Sequence, residues 1–390
     1  MIARLAHRSI PASRLVAGLD LPMLFAVLAL LGIGLVMVAS ASMDLASRNF
    51  GEPFHFFQRQ ILFAFLGLLA GLVFWSVPLR RWETAGPLLL VLILLLLVVV
   101  LIPGVGRTVN GATRWIPLGV FNLQVSEPVK LLVVLYMSGY IVRHYSNLRL
   151  HFIGFVRPLI ALGLGTVLLL LQPDFGGAVI MLAIGMGMLF LAGAKLWQFA
   201  ALGATIAVAM SLMALATPYR VARLTAFLDP WQDPFATGFQ LTQSLIAIGS
   251  GSWLGAGLGG SVQKLFYLPE AHNDFLFAVF AEEFGFAGVV VLVGLFTLLV
   301  WRCFVIALRA ERGGHAFGSH VAFGIGIWIG LQAAINLGVN MGVLPTKGLT
   351  LPFLSYGGSS LIVTLAAMGL LSRVQWEAQV PVPRKRGRTS

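Results

Sequence analysis

No side chain between Asp20 and Asp44 carries a charge, and the same holds for residues 84–106, 175–194, 196–219 and 348–372. A helix rises about 1.5 Å per residue, so each of these runs can cross the roughly 30 Å of hydrocarbon in a bilayer. A chain made of such runs folds as a bundle of membrane-spanning helices. Composition agrees: 58% of the residues are hydrophobic and 10% charged, too little polar surface to face water on all sides.

Hydrophobic periodicity and breaks predict an all-α polytopic protein of about ten transmembrane helices, over 20–43, 59–77, 86–104, 125–142, 157–172, 175–192, 197–217, 275–301, 320–342 and 358–373. Residues 1–19 form an arm before this domain (20–373), and 374–390 form a basic tail. Ala39-Ser40-Ala41 could pass for a signal-peptidase site. The apolar run around it exceeds the roughly 7–15 residues of a cleavable signal, so it is read as a retained helix.

The net charge of +12 would suggest nucleic acid in a soluble protein, but its distribution suggests a membrane instead. With both termini in the cytoplasm, 17 of the 26 Lys and Arg fall inside, against four of the 14 acids. That asymmetry is the positive-inside pattern of a multi-pass membrane protein. The tail Arg384-Lys-Arg-Gly-Arg388 is accordingly expected to meet lipid or a protein partner, and no nucleic-acid partner is expected. Cys303 is the single cysteine, which excludes an intramolecular disulfide and a Cys-based metal site, and the seven histidines lack metal-ligand spacing.

The connections predicted outside are longer than those inside. Residues 218–273 form a large periplasmic loop between helices 7 and 8, and 105–124 and 345–352 form two more, so the working face is outside. Gly255-x-Gly257-x-Gly259 has no βαβ context and is not a dinucleotide fingerprint; its glycines suit a loop that hugs the bilayer or a ligand.

Ionisable groups at membrane depth are costly and usually functional. Glu127 and Lys130 are three residues apart on one helix face, either fixing helix packing or shaping the floor of an outer cavity. Asp274, in His272-Asn-Asp-Phe275, stands at the mouth of the eighth helix, where it could cap the helix or carry chemistry. Glu282 is eight residues on, about 12 Å deeper, too far for a carboxylate pair set roughly 5–9.5 Å apart, so two-carboxylate glycoside hydrolysis is disfavoured. Ser355-Tyr-Gly-Gly-Ser-Ser360 forms a helix-start turn or, with Lys347, an anion pocket. Arg107, Arg114, Arg220, Arg223 and Lys264 are further outer-side cations.

Residues 105–130, 272–286 and 345–360 together resemble the SEDS family of shape, elongation, division and sporulation proteins, and the resemblance covers nearly the whole chain. Lys347-Gly-Leu-Thr-Leu-Pro352 before the serine-rich turn is similar to the cell-division branch. The resemblance implies a peptidoglycan glycosyltransferase that polymerises lipid II outside the membrane at the division septum and releases undecaprenyl pyrophosphate. It implies a class B penicillin-binding protein partner of FtsI type and division regulators such as FtsQ, FtsL and FtsB. It places the essential aspartate on Asp274 and the family ion pair on Glu127 and Lys130. At its helix mouth Asp274 is read as a general base; the helix dipole and nearby cations favour its ionised form against burial, and it is expected ionised at pH 7. The residues expected to contact substrate are Arg107, Arg114, Glu127, Lys130, Lys264, His272, Lys347, Ser355 and Ser359. No cofactor is certain; a divalent cation, Mg or Mn, could bridge phosphates. A lipid II flippase is the alternative activity.

Overall fold

The computed structural model describes residues 18–109, 111–119, 121–201, 203–204, 230–231, 238–265, 267–345 and 348–379. Lys347, Arg220, Arg223, the terminal arm, the basic tail and most of the predicted seventh span lie outside the described residues. The other nine predicted spans each fall on a helix, although some of these helices run well past the predicted ends.

In chain order the elements are α1 (Leu21–Phe50), α2 (His55–Ser76), α3 (Leu79–Thr84), α4 (Gly86–Val99), β1 (Arg107–Val109), β2 (Ala112–Pro117), β3 (Asn122–Gln124), α5 (Ser126–Arg143), α6 (Tyr145–Leu150), α7 (Phe152–Leu171), α8 (Phe175–Leu191), α9 (Phe239–Ser250), α10 (Leu276–Arg312), α11 (Ala316–Asn340) and α12 (Gly358–Ala378). Six of these helices are long and apolar enough to cross a membrane, and α4 and α8 are shorter apolar helices. Leu, Ile, Val and Phe face outward along α1, α2, α4, α7 and α10, as a lipid-facing surface requires, whereas α5 is buried nearly all round and forms the centre. The two helices α2 and α12 approach so closely that a Cβ on Gly369 would lie 2.0 Å from the Gly71 carbonyl oxygen. Without a hydrophobic drive between helices in lipid, such small-residue contacts do the packing.

One end of the bundle is basic. Asp20 caps α1 by accepting from the Met23 N–H at 3.1 Å and is gripped by Arg302 from the far end of α10, with Arg309 at 3.4 Å. There too, Glu377 accepts from the Leu79 N–H at 3.1 Å and pairs with Arg373. The opposite end carries β1–β3, α9 and the segment before α12.

Two outer stretches differ from the sequence expectation. Residues 105–124 fold into a three-stranded antiparallel sheet, with Trp115 paired to Arg107 on one side and Gln124 on the other. The long loop contains α9, packed on α10. Short strands and one amphipathic helix give little periodic signal between membrane spans.

The glycine-rich stretch also differs from its expected role. At Gly285, φ is 63° and ψ is −165°, which breaks α10 into two pieces. The carbonyls freed at Glu282 and Glu283 accept from the Ala256 and Gly257 N–H groups at 2.9 and 3.0 Å. On the far side of the break the Phe286 and Ala287 N–H groups donate to Ser252 and Trp253 at 2.9 and 3.1 Å. A broken helix at membrane depth must have its backbone groups satisfied, and here the loop does it. A Cβ at Gly255 would sit 2.1 Å from the Glu283 carbonyl oxygen, so the glycine is required by contact with a helix rather than with bilayer or ligand.

Candidate functional site at the mouth of the broken helix

Asp274 ends the turn that leads into α10. The cap position belongs to Phe275, whose carbonyl accepts from the Ala278 N–H at 3.0 Å, and no side chain caps the helix. Asp274 is therefore not a helix cap. Its own carbonyl has no helical donor and accepts instead from Asn336 Nδ2 at 3.0 Å and Asn340 Nδ2 at 3.1 Å, both on α11. Its carboxylate faces Gly348 so closely that a Cβ there would lie 2.8 Å from Oδ2. Among the described residues nothing hydrogen-bonds or ion-pairs with that carboxylate.

Burial raises the Asp274 pKa from 3.8 to about 7, with the neighbouring Glu270 charge adding to the rise and Arg114 opposing it. The expectation of an ionised group at pH 7 is corrected here, because desolvation outweighs the opposing charge of Arg114. His272 packs between Phe56 and Tyr356, with ring centroids 4.9 and 5.7 Å away, and its carbonyl accepts from the Tyr356 N–H at 2.9 Å. Burial lowers its pKa, against a smaller opposing effect of Glu270, so His272 stands neutral as part of an aromatic wall.

The predicted cations separate into distinct groups. Arg114 extends from β2 with Nη1 3.7 Å from Asp174, leaves its buried Nε without a partner, and its charge opposes the rise in the Asp274 pKa. Asp174 itself caps α8 through the Gly177 N–H at 2.9 Å. Arg107 is exposed on the edge strand β1. Lys264 is committed elsewhere: its Nζ lies 2.8 Å from Glu283 and 2.9 Å from Ser40, with both ion-pair side chains buried. It braces the loop against the break in α10 and presents no open charge.

The serines are structural as well. Ser359 accepts from the Gln124 N–H at 2.8 Å and donates to the Asn122 carbonyl at 3.0 Å, pinning β3 to the start of α12. Ser355 accepts from the Leu351 N–H at 2.8 Å within its own turn. The anion pocket expected from sequence rests on backbone N–H groups together with Lys347, which lies outside the described residues.

Glu127 and Lys130 form a buried ion pair at 2.8 Å. Lys130 also donates to Gln332 Oε1 at 2.8 Å and lies 5.3 Å from the Trp328 ring centre. Because Trp328 Nε1 donates to the same oxygen, the Gln332 amide nitrogen is turned to the Thr350 carbonyl at 3.0 Å. Glu127 Oε2 is buried without a partner.

Sequence reasoning missed Glu270, Gln332, Asn336 and Asn340, and also Arg59, which hydrogen-bonds Tyr356. The recurrence of amides at every fourth residue of an otherwise apolar span was a readable signal, since such polar groups lie on one helix face. No group of three or more His, Cys, Asp or Glu that could hold a metal occurs among the described residues. Among the described residues no such cluster offers Mg or Mn a set of protein ligands.

Fold and site together define a polytopic helical membrane protein with a buried carboxylate, unpaired among the described residues, at one end of its bundle. The family model described as "Cell cycle protein", covering the FtsW, RodA and SpoVE proteins, matches residues 21–380. A probable peptidoglycan glycosyltransferase FtsW of Thioalkalivibrio sp. strain K90mix is 76% identical over 94% of this chain and 92% of its own length. The Coxiella burnetii protein of the same name is 49% identical over 90% of this chain and 95% of its own. Among solved structures, a chain from a peptidoglycan synthase complex that coordinates polymerization and crosslinking matches with TM-score 0.75 and 33% identity, over 92% of this chain and 98% of that one. The Thermus thermophilus rod shape determining protein RodA matches at TM-score 0.67 and 30% identity, over 91% and 96%. The chain belongs to the SEDS family, and its curated relatives are of the FtsW kind.

Proposed function

We propose that this protein is a peptidoglycan glycosyltransferase that polymerises lipid II at the periplasmic face of the inner membrane during division. The observation that carries the reading is the Asp274 carboxylate, with a pKa of about 7 at the uncapped mouth of α10. A general base works best with a pKa near the operating pH. Asp274 takes the proton of the acceptor sugar hydroxyl as that oxygen bonds to the anomeric carbon of the donor. The donor's bond to phosphate breaks, and undecaprenyl pyrophosphate leaves with the electron pair. A pyrophosphate leaving group needs charge neutralisation rather than a second acid, a part suited to Arg114 and the exposed Arg107. The names borne by the relatives support the same activity.

A divalent cation, Mg or Mn, would draw its ligands mainly from substrate phosphates, and no step above depends on it. The partners we assign are a class B penicillin-binding protein transpeptidase, which crosslinks the new strand, and the division regulators FtsQ, FtsL and FtsB. The basic end of the bundle, with both termini, faces the cytoplasm, and the protein acts at the septum. A flippase would need a polar path across the bundle, whereas Glu127, Lys130 and Gln332 in the interior are bonded to one another.

Purified protein, with and without its transpeptidase, incubated with labelled lipid II should yield glycan polymer. Lipid II moved across vesicles without polymer would overturn the transferase reading in favour of the flippase.

A further inference from the structure

Asp274 is held by its backbone. Its carbonyl stands outside the α10 ladder, because the Ala278 N–H bonds to Phe275, and both donors it receives are side-chain amides of α11. Asn336 Nδ2 uses its second hydrogen on the Leu349 carbonyl at 2.6 Å, one residue from the Gly348 that faces the Asp274 carboxylate. A single buried amide thus fastens the mouth of α10 to the wall opposite it. Asn340 Nδ2 holds the same Asp274 carbonyl and the Asn336 carbonyl at 2.9 Å, and one turn deeper Gln332 fixes Thr350.

We propose that Asn336 and Asn340 are positioning residues that orient Asp274 and hold its carboxylate against the 348–350 segment. Gln332 is the link through which the Glu127–Lys130 pair braces that same segment. The inference rests on the glycosyltransferase reading and adds residues that do not touch substrate. If the amides are lost, Asp274 turns away from the Gly348 wall toward water. Its pKa then falls toward the ordinary carboxylate value while the proton acceptor moves out of line. Among the described residues the charged groups facing it are Glu270 and Arg114, and α11 contributes none. A displacement of about 1 Å in a reacting group commonly costs up to about 10² in rate.

The test uses full-length protein with its transpeptidase and labelled lipid II, comparing wild type, Asn336→Leu, Asn340→Ala and Ser244→Ala across pH. Ser244 donates to the Asn340 backbone carbonyl at 2.8 Å and leaves the Asp274 contacts alone, so its variant controls for general loosening. Both asparagine variants should lose about tenfold or more in rate at saturating lipid II, keep half-saturation within about twofold, and show the acid limb moved to lower pH. A purely structural role would lower the rate at every pH and leave the limb in place. An unmoved limb in Asn340→Ala, or wild-type rate in either variant, would overturn the proposal. Should Asn336→Leu fail to fold, Asn340→Ala alone decides it. Wild-type protein that makes no polymer would instead sink the underlying reading.

Discussion

Carboxylates flank the first piece of α10, Asp274 in the turn before it and Glu282 and Glu283 at its far end, and they are treated in opposite ways. Glu282 and Glu283, beside the break at Gly285, are buried and partnered, although Glu283 Oε2 has no hydrogen-bond partner. Glu282 accepts from the Val262 and Gln263 N–H groups at 3.1 and 3.3 Å, and Glu283 pairs with Lys264 at 2.8 Å. Asp274, at the other end, has no side-chain partner among the described residues and a pKa raised to about 7. Burial costs both sites, but hydrogen bonds and a cation offset the cost only at the break. Satisfied carboxylates brace a fold; a carboxylate left desolvated and unpaired keeps its affinity for a proton.

The comparison breaks most visibly by neutralising each end in turn. Asp274→Asn keeps the shape and removes the proton acceptor, so polymerisation should fall by about 10² to 10⁴ while lipid II binding persists. More than about a tenth of the wild-type rate in correctly folded protein would contradict the base assignment. Glu283→Gln should act on folding instead, since it leaves Lys264 as a buried unpaired cation at a cost of about 3–5 kcal/mol. Thermal unfolding in detergent should show that loss, and the double variant Glu283→Gln/Lys264→Met should recover most of it. A double variant no more stable than the single would mean the pair is not coupled.

Smaller effects sharpen the difference. Gly348→Ala places a methyl 2.8 Å from Asp274 Oδ2 and should cut the rate several-fold with little change in Tm, because the segment lies at the site. The Asp274 pKa also has a consequence for stability. A carboxyl whose pKa is raised on folding opposes folding once ionised. The penalty is absent below about pH 3.8, the ordinary value, grows as pH rises, and is complete above about 7. Asp274→Asn should therefore melt a few degrees above wild type at pH 8 and match it at pH 4. Equal Tm values at both pH values would show that the group is not strained in the folded protein.

Much of this was legible from the sequence. Uncharged runs mark the membrane helices because lipid tolerates few alternatives, and Asp274 stood out as an ionisable group at a helix mouth. Less legible were the partners of polar side chains outside the helix mouth. Ser355, Ser359 and Lys264 resemble ligand-binding groups in a string of letters, yet Ser355 is bonded within its own turn, and Ser359 and Lys264 to groups distant in sequence. Only the fold brings Gln124 to Ser359 or Glu283 to Lys264. The rise in the Asp274 pKa was likewise hidden, because it depends on how completely Gly348, the 271–275 turn and α11 exclude water. The break at Gly285 left no clear mark either, since a glycine in an apolar span is common and its partner loop lies some thirty residues upstream.

The central claim is that the Asp274 carboxylate takes the sugar proton, and the pH dependence of polymerisation tests it most directly. With saturating lipid II, the wild-type rate should climb about tenfold per pH unit below about 7 and level off above it. That acid limb should vanish in the residual activity of Asp274→Asn. A wild-type rate flat from pH 5.5 to 8.5, or a limb that survives in Asp274→Asn, would contradict the account.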